Sequence, residues 1–413
     1  MSAVCVAGGR SAGRLPSAIG WGRRVDRIHE KPSLHGTAAD TLRSMLEDGE
    51  DIHFLLALVE VSTGLRDLSA QRDLGGSYST NILATGSAWT RPVVVRIHQD
   101  FVTPERLAAE QVARRALAAE GIPVALPYEL ADGETAARLI DGRMLEVEPF
   151  VDAPDRMNTP DRLVTGAGVL ARVHDALRRA ELPDAARIAR YANHLATELA
   201  APRVAAGAER IRSWGDAGLS SFAGEVTVHI EDVVARESAF VPTLPRQIVH
   251  GDFWDNNVLF RDGQVAVVLD LGFMARRARI DDLAYPMNAW LLRDGHGLPG
   301  PEDLDLFARM CDAYDDQAMC PLSVEERAGL PLAVARQPAW SVGRWVLELE
   351  DDEARDHARS ARDEFPVSRA VLELADQWAA CLTSAAARRK GDQDARDAPS
   401  TGRRSSGPSP TPP

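Results

Sequence analysis

IVHGDFWDNNVLFRDGQVAVVLDLG, from Ile248 to Gly272, is the stretch on which the fold turns. Within it VLF and QVAVVL are β-rich runs that flank Arg261-Asp262-Gly263, the chemistry of a tight hairpin turn. Asp252 lies ten residues before Asp262, Asn257 lies five before it, and Asp270 lies eight after it. Closing the hairpin therefore brings three polar side chains to its open end. Asp270 also terminates an apolar strand, an awkward place for a carboxylate unless something needs it there. Phosphoryl transfer requires an acceptor for a hydroxyl proton and hard oxygen ligands for Mg²⁺. The spacing predicts Asp252 for the first task and Asn257 with Asp270 for the second. Taken singly, each is equally an Asx turn at a strand end; the three together point to chemistry.

Outward from this patch, the 413 residues are 45% apolar, enough for two lobes with cores of their own. The pattern changes once. From about Leu65 to Phe150 it reads as short strands around one helix; from Ala153 to Leu382 it is mostly helical apart from the hairpin patch. We expect an α+β chain: a leader over 1–36, an N-terminal nucleotide-binding lobe over 37–151, a catalytic and substrate lobe over 152–385, and a tail over 386–413. The tail ends in TGRRSSGPSPTPP, too poor in apolar groups to offset its ordering entropy, so disorder is expected. The GGRSAG run at Gly8 follows no strand pattern and is not read as a phosphate loop.

The net charge of −14 argues against a nucleic-acid partner. No run approaches the roughly 18 apolar residues of a membrane span, and no apolar segment follows Arg10 and Arg14 as a signal peptide would require. Cys5, Cys311, Cys320 and Cys381 have no metal or redox spacing and read as reduced thiols. These features predict a cytoplasmic protein without membrane or nucleic-acid partners, acting on a small molecule. Its oligomeric state is not readable.

In the N-terminal half, TRPVVVRIH reads as a strand and VTPERLAAEQVARRALAAEGIPV as the helix after it. Thr103 is placed to cap, Pro104 to sit in the first turn, and Gly121 with Pro123 to stop the helix. Glu110 falls on the inward side, and a carboxylate facing a core needs a partner. Arg96 is the expected one.

HGDFWDNN resembles the HGDxxxxN motif of the aminoglycoside phosphotransferase, choline kinase and homoserine kinase superfamily. LDLG resembles that family's metal-binding Asp element, and RIDDLAY, from Arg279, resembles the DLA that follows. The resemblance spans Leu65 to Leu382 and is strongest over Val249 to Ala284. It implies a bilobal protein-kinase-like fold, with a small β-rich N-lobe and a larger, mainly helical C-lobe. It also implies Asp252 as catalytic base, Asn257 and Asp270 on magnesium, and His250 and Asp282 as supports of the catalytic loop. LGGSYSTNILATGS, from Leu74, is similar to the family's hairpin over the phosphates, which assigns Gly75, Gly76 and Ser77 to the nucleotide. RMLEVEPFVDAPD, from Arg143, is similar to its hinge, where the backbone of Glu148 and Phe150 would meet the adenine. Arg96 stands where many relatives carry Lys, and Arg96 with Glu110 would be the nucleotide-positioning ion pair. The implied cofactors are ATP (or GTP) and Mg²⁺.

The resemblance does not select the acceptor among aminoglycosides, other antibiotics, homoserine, choline and sugars. Glu348, Glu350, Asp351, Asp352 and Glu353 would suit a cation or would simply be a charged helix end. Trp254, Trp340 and Trp345 would line a pocket or belong to the core. His174, in a helical run, reads as structural. A protein kinase is disfavoured by HGD in place of HRD, by the lack of an APE element and by the short span from Asp270 to Asp282. A catalytically weak relative that binds a nucleotide or a partner is the alternative reading.

Overall fold

The computed structural model describes residues 51–75, 79–139, 141–189 and 192–397. The leader, Gly76, Ser77 and the tail beyond Asp397 lie outside the described residues.

The N-terminal lobe is a five-stranded antiparallel sheet in the order β1-β2-β3-β5-β4. Its strands are β1 (Ser69–Asp73), β2 (Ser79–Thr85), β3 (Val93–His98), β4 (Ala137–Arg138) and β5 (Met144–Pro149). The alternation of strand side chains gives the sheet two chemically different faces. Val93, Val95 and Ile97 of β3 pack with Leu145 and Val147 of β5 and with Leu55, Leu56 and Val59 of α1 (Asp51–Thr63) in one apolar cluster. Arg96 and His98 of β3, with Glu146 and Glu148 of β5, form a polar set on the opposite face. There Arg96 sits opposite Asn81 of β2 and Glu146 of β5.

Helix α2 (Pro104–Ala119) covers that polar face. Thr103 caps it by accepting the Arg106 N–H, and Gly121 ends it at a φ of +69°. Just beyond, the carbonyl of Pro123 accepts the Val268 N–H at 2.8 Å, which ties the end of this helix to the hairpin strand β9.

The C-terminal lobe is helical around two small sheets. β8 (Val258–Arg261) and β9 (Gln264–Val268) form the expected hairpin, with β6 (Asp155–Arg156) added outside β8. Its turn takes positive φ at Asp262 (52°) and Gly263 (75°), the signature of a two-residue hairpin loop. β7 (Arg246–Val249) and β10 (Ala275–Ala278) pair on either side of the hairpin in sequence. Helices α3 (Pro160–Arg179), α4 (Thr197–Ser213), α5 (Ala217–Glu237), α6 (Arg279–Leu291), α7 (Pro301–Gln317), α8 (Val324–Ala335) and α9 (Asp351–Asp397) surround them. Two short helical turns and a π-turn at Ser341–Trp345 connect α8 to α9. The last helix runs twelve residues past the boundary drawn at 385.

A large apolar cluster joins α2, α3, α6, α7, α8 and α9 to Phe253, Val258 and Phe260 of the hairpin region. A second joins α4, α5 and α9 around Trp340 and Trp345, which are therefore core rather than pocket residues. Among the described residues no helix is long and apolar enough to cross a membrane.

Candidate active site

The loop between β7 and β8 carries His250, Gly251, Asp252 and Asn257, and its shape is set by buried hydrogen bonds. Asp282, near the start of α6, accepts the backbone N–H groups of His250 and Gly251, each at 2.7 Å. The same carboxylate meets His174 Nε2 at 3.0 Å, and His174 Nδ1 meets the Tyr314 hydroxyl at 2.7 Å. Burial acts to raise the Asp282 carboxyl, but the His174 contact outweighs it and holds the group below its usual range. His250 bridges the loop to the hairpin: Nε2 lies 2.9 Å from the Leu269 carbonyl, and Nδ1 accepts the Asp252 N–H at 3.2 Å. These partners require a neutral imidazole protonated on Nε2, in line with burial pushing the pKa of His250 down.

Gly251 has a φ of +85°, and a Cβ there would stand 2.2 Å from the carbonyl oxygen of Phe273. Glycine is thus required both by conformation and by the close approach of the segment after Asp270.

Asp252 is held by amides rather than by a cation. Asn257 Nδ2 donates to its Oδ2 at 2.7 Å and to its backbone carbonyl at 2.9 Å; Asn193 Nδ2 donates to its Oδ1 at 3.2 Å. The Tyr285 hydroxyl accepts from the same Asn193 amide at 2.9 Å. Burial, then the charge of Asp270, pushes the Asp252 carboxyl up to about 8. A half-buried carboxylate with a raised pKa and two orienting donors is poised to accept a proton near neutrality.

Asp270 follows β9 in the left-handed region, with a φ of +59°, an uncommon conformation for a non-glycine residue. It accepts the Gly272 N–H at 3.0 Å and pairs with Arg96 Nη2 at 3.0 Å. Burial raises its carboxyl, but Arg96, the Gly272 N–H and the nearby His250 and His98 together outweigh that and keep it below the usual range.

The expected Arg96–Glu110 ion pair is not formed. Glu110 Oε1 accepts Arg106 Nε at 2.9 Å, one turn back along α2, and Arg96 turns to Asp270 instead. Local i,i+4 pairing wins because both groups already share one helical face. Arg106 in turn donates to the carbonyls of Leu271, Gly272 and Met274, at 3.1, 2.9 and 2.8 Å. Glu110 therefore acts on the segment after Asp270 through Arg106.

Glu148 is likewise a side-chain participant. Arg114 of α2 bonds Glu148 and Glu146, each at 2.5 Å, and His98 and Gln111 complete the cluster around Glu146. Burial and the neighbouring Glu146 push the Glu148 carboxyl up to about 7. The Phe150 N–H, expected at the adenine edge, is donated to the Pro92 carbonyl at 3.2 Å. Asn81 Nδ2 donates to the Gly75 carbonyl at 2.8 Å.

Two neighbours of Asp252 were not found from sequence. Asn193 lies 59 residues upstream in an irregular segment and carries no local signal. Tyr285 had one: it follows Asp282 by three residues on α6, hence on the same helical face. Two members of the acidic run at the start of α9 are paired elsewhere, Glu348 with Arg203 and Asp351 with Arg210.

The donor set suits a magnesium ion that keeps water and phosphate ligands. Asp270 offers a carboxylate, and Asn257, its nitrogen committed to Asp252, presents its Oδ1. Among the described residues no group of three His, Cys, Asp or Glu side chains forms a complete metal cage.

A model of the phosphotransferase enzyme family matches residues 69–322, more than half of the chain. The chain belongs to that family. The homoserine kinase of Gluconobacter oxydans is 30% identical over 216 residues, which is 52% of this chain and 62% of that enzyme. The match thus spans less than two thirds of that relative's length. The homoserine kinase of Rhodospirillum rubrum is 25% identical over 295 residues, 71% of this chain and 80% of that one. Among solved structures, a microcompartment-associated aminopropanol kinase superposes with a TM-score of 0.58 at 17% identity, covering 78% of this chain and 98% of that one. Amicoumacin kinase hAmiN, solved with AMP-PNP, Ca²⁺ and Ami, gives 0.55 at 13% identity, covering 79% of this chain and 96% of that one. At these identities the likeness establishes the fold: the kinase-like α+β arrangement expected for this family.

Proposed function

We propose that this family member is an ATP-dependent small-molecule kinase that moves the γ-phosphoryl group of a nucleotide onto a hydroxyl at Asp252. The observation that carries the reading is the state of Asp252. It is oriented by Asn257 and Asn193, has no direct cation partner among the described residues, and is raised toward neutral pH by burial and by Asp270.

In this reading the acceptor's hydroxyl oxygen forms the new bond to the γ-phosphorus as the bond to the nucleoside diphosphate breaks. The hydroxyl proton passes to Asp252. Asn257 and Asp270 would hold Mg²⁺, which supplies charge neutralisation on the phosphates when bound. Arg96, paired with Asp270, would contact phosphate as well, since a guanidinium forks onto two anions. Gly75, Gly76 and Ser77 would close over the phosphates. His250 and Asp282 would keep the loop in shape without touching substrate. The nucleotide edge would be read by the strand end near Glu148 and Phe150, through groups other than the committed Phe150 N–H.

The test is transfer of label from γ-labelled ATP with Mg²⁺ across aminoglycosides, other hydroxylated antibiotics, homoserine, choline, amino alcohols and sugars. The proposal expects one acceptor class to be labelled well above slow ATP hydrolysis. Nucleotide binding with no transfer to any alcohol would favour a catalytically weak binding protein instead.

A further inference from the structure

Arg106 stands on α2, in the N-terminal lobe, yet most of its bonds go to the other lobe. Its side chain is 12% exposed and that of Glu110, its counter-ion, 8%. Nε donates to Glu110 Oε1 at 2.9 Å. Nη1 donates to the carbonyls of Ala185 and Ile188, at 2.9 and 3.3 Å, and so anchors the fork on the segment after α3. Nη2 donates to the carbonyls of Leu271, Gly272 and Met274. A terminal guanidinium nitrogen carries two hydrogens, so the three carbonyls share them. Three oxygen ends gathered at one point repel each other unless a cation stands between them. The loop that follows Asp270 is therefore held in shape by this side chain.

That shape reaches Asp270. Its φ of +59° is one that a non-glycine residue keeps only where its surroundings over-determine it. The Gly272 N–H donates to Asp270 Oδ1 at 3.0 Å, while the Gly272 carbonyl is held by Arg106 at 2.9 Å. A Cβ at Gly272 would stand 2.9 Å from the same Oδ1. One residue thus links the guanidinium to the carboxylate. Arg96 meets the other oxygen, Oδ2, at 3.0 Å. The strand cation and the helix carboxylate therefore act on Asp270 from two sides rather than on each other.

We propose that Arg106, fixed by Glu110, is a positioning residue for Asp270: it holds the loop 271–274 so that the carboxylate is presented to Mg²⁺, and it touches neither metal nor nucleotide. The inference rests on the kinase reading given above and deepens it by giving Glu110 a task separate from Arg96.

Two measurements on the full chain test it. Hydrogen exchange without ligands reads the loop itself, through the Gly272 N–H on Asp270 and the Met274 N–H on the Leu271 carbonyl. Binding of a fluorescent ADP analogue during Mg²⁺ titration reads the consequence. In Arg106→Gln these two amides should exchange at least about tenfold faster while the interior of α5 exchanges as in the wild type. The Mg²⁺ midpoint should rise about tenfold or more, since metal meets only the fraction of molecules with Asp270 in place. Arg106→Lys should keep part of the Mg²⁺ affinity, because an ammonium can enter the carbonyl cluster without the fork that spans to Ala185 and Ile188. Should Arg106→Gln not fold, Arg106→Lys and Glu110→Gln give the same two readouts. Glu110→Gln alone should raise the midpoint about two- to fivefold, add almost nothing in an Arg106→Gln background, and keep its effect in Arg96→Gln. A Glu110 effect that survives in Arg106→Gln and vanishes in Arg96→Gln would return Glu110 to the strand cation and overturn the proposal. Unchanged loop exchange, an unchanged Mg²⁺ midpoint, or an acceleration that α5 shares equally would each overturn it too. A wild type without Mg-dependent nucleotide binding would overturn the kinase reading, and this role with it; that failure shows in the wild type alone, the others only in the variants.

Discussion

At the scale of single residues, the electrostatic state of Asp252 has a cost for the folded protein. Its carboxyl titrates near 3.8 in an open chain and near about 8 in the native loop. Between those values the native state holds a proton that the unfolded chain has released. Stability therefore falls as pH rises through that window, and the penalty is full above the native value. Asp252→Asn should remove it. In thermal melts without nucleotide or metal, the variant should exceed wild type by at least about 1 kcal/mol near pH 8, and the two should converge toward pH 4. A pH-independent difference would mean that Asp252 is not perturbed in this way. Asp270 is shifted in the opposite direction, because Arg96 compensates it. In the proposed magnesium site Asp270 would bring a full charge and Asn257 only a carbonyl dipole. Mg-nucleotide affinity should therefore fall at least about tenfold in Asp270→Ala and less in Asn257→Ala, as titration calorimetry would show.

At the scale of elements, the hairpin was legible because its turn and its two apolar runs are contiguous. Helix α2 was legible because its cap, its first-turn proline and its stop signal are local. The pairing of Glu110 was not. Arg96 and Arg106 are both chemically suitable partners; the i,i+4 spacing of Arg106 and Glu110 is local, but the turn of Arg96 to Asp270 depends on tertiary packing. Asn193 was invisible for a similar reason, since it reaches Asp252 from an irregular segment whose path depends on the packing of α4. That packing is tight at one point. A Cβ on Gly207 of α4 would stand 2.1 Å from the Val342 carbonyl in the π-turn. Because the obstacle is backbone, Gly207→Ala should cost about 1–3 kcal/mol. It should lower the melting temperature by several degrees and reduce turnover through displacement of the α4 end that precedes it. Unchanged melting would show that the two segments part easily.

At the scale of the whole molecule, one sheet face supplies the core and the other a charged lining. Helix α2, Arg106 and the Pro123–Val268 contact then hold that lining against the hairpin. Division of the chain into a strand-rich and a helical part was readable from the change in periodicity. The surroundings of Asp252 in the helical part were not, because they are dispersed: Asn193 and Tyr285 come from two segments with no shared pattern. The proposed mechanism separates two jobs within this assembly: Asp270, Asn257 and Arg96 would hold the nucleotide, and Asp252 would accept the proton. Measured together on Asp252→Asn, Mg-ATP affinity should stay within a few-fold of wild type while phosphoryl transfer to the identified acceptor drops by a factor on the order of 10² or more. Transfer at near wild-type rate by Asp252→Asn would contradict the mechanism.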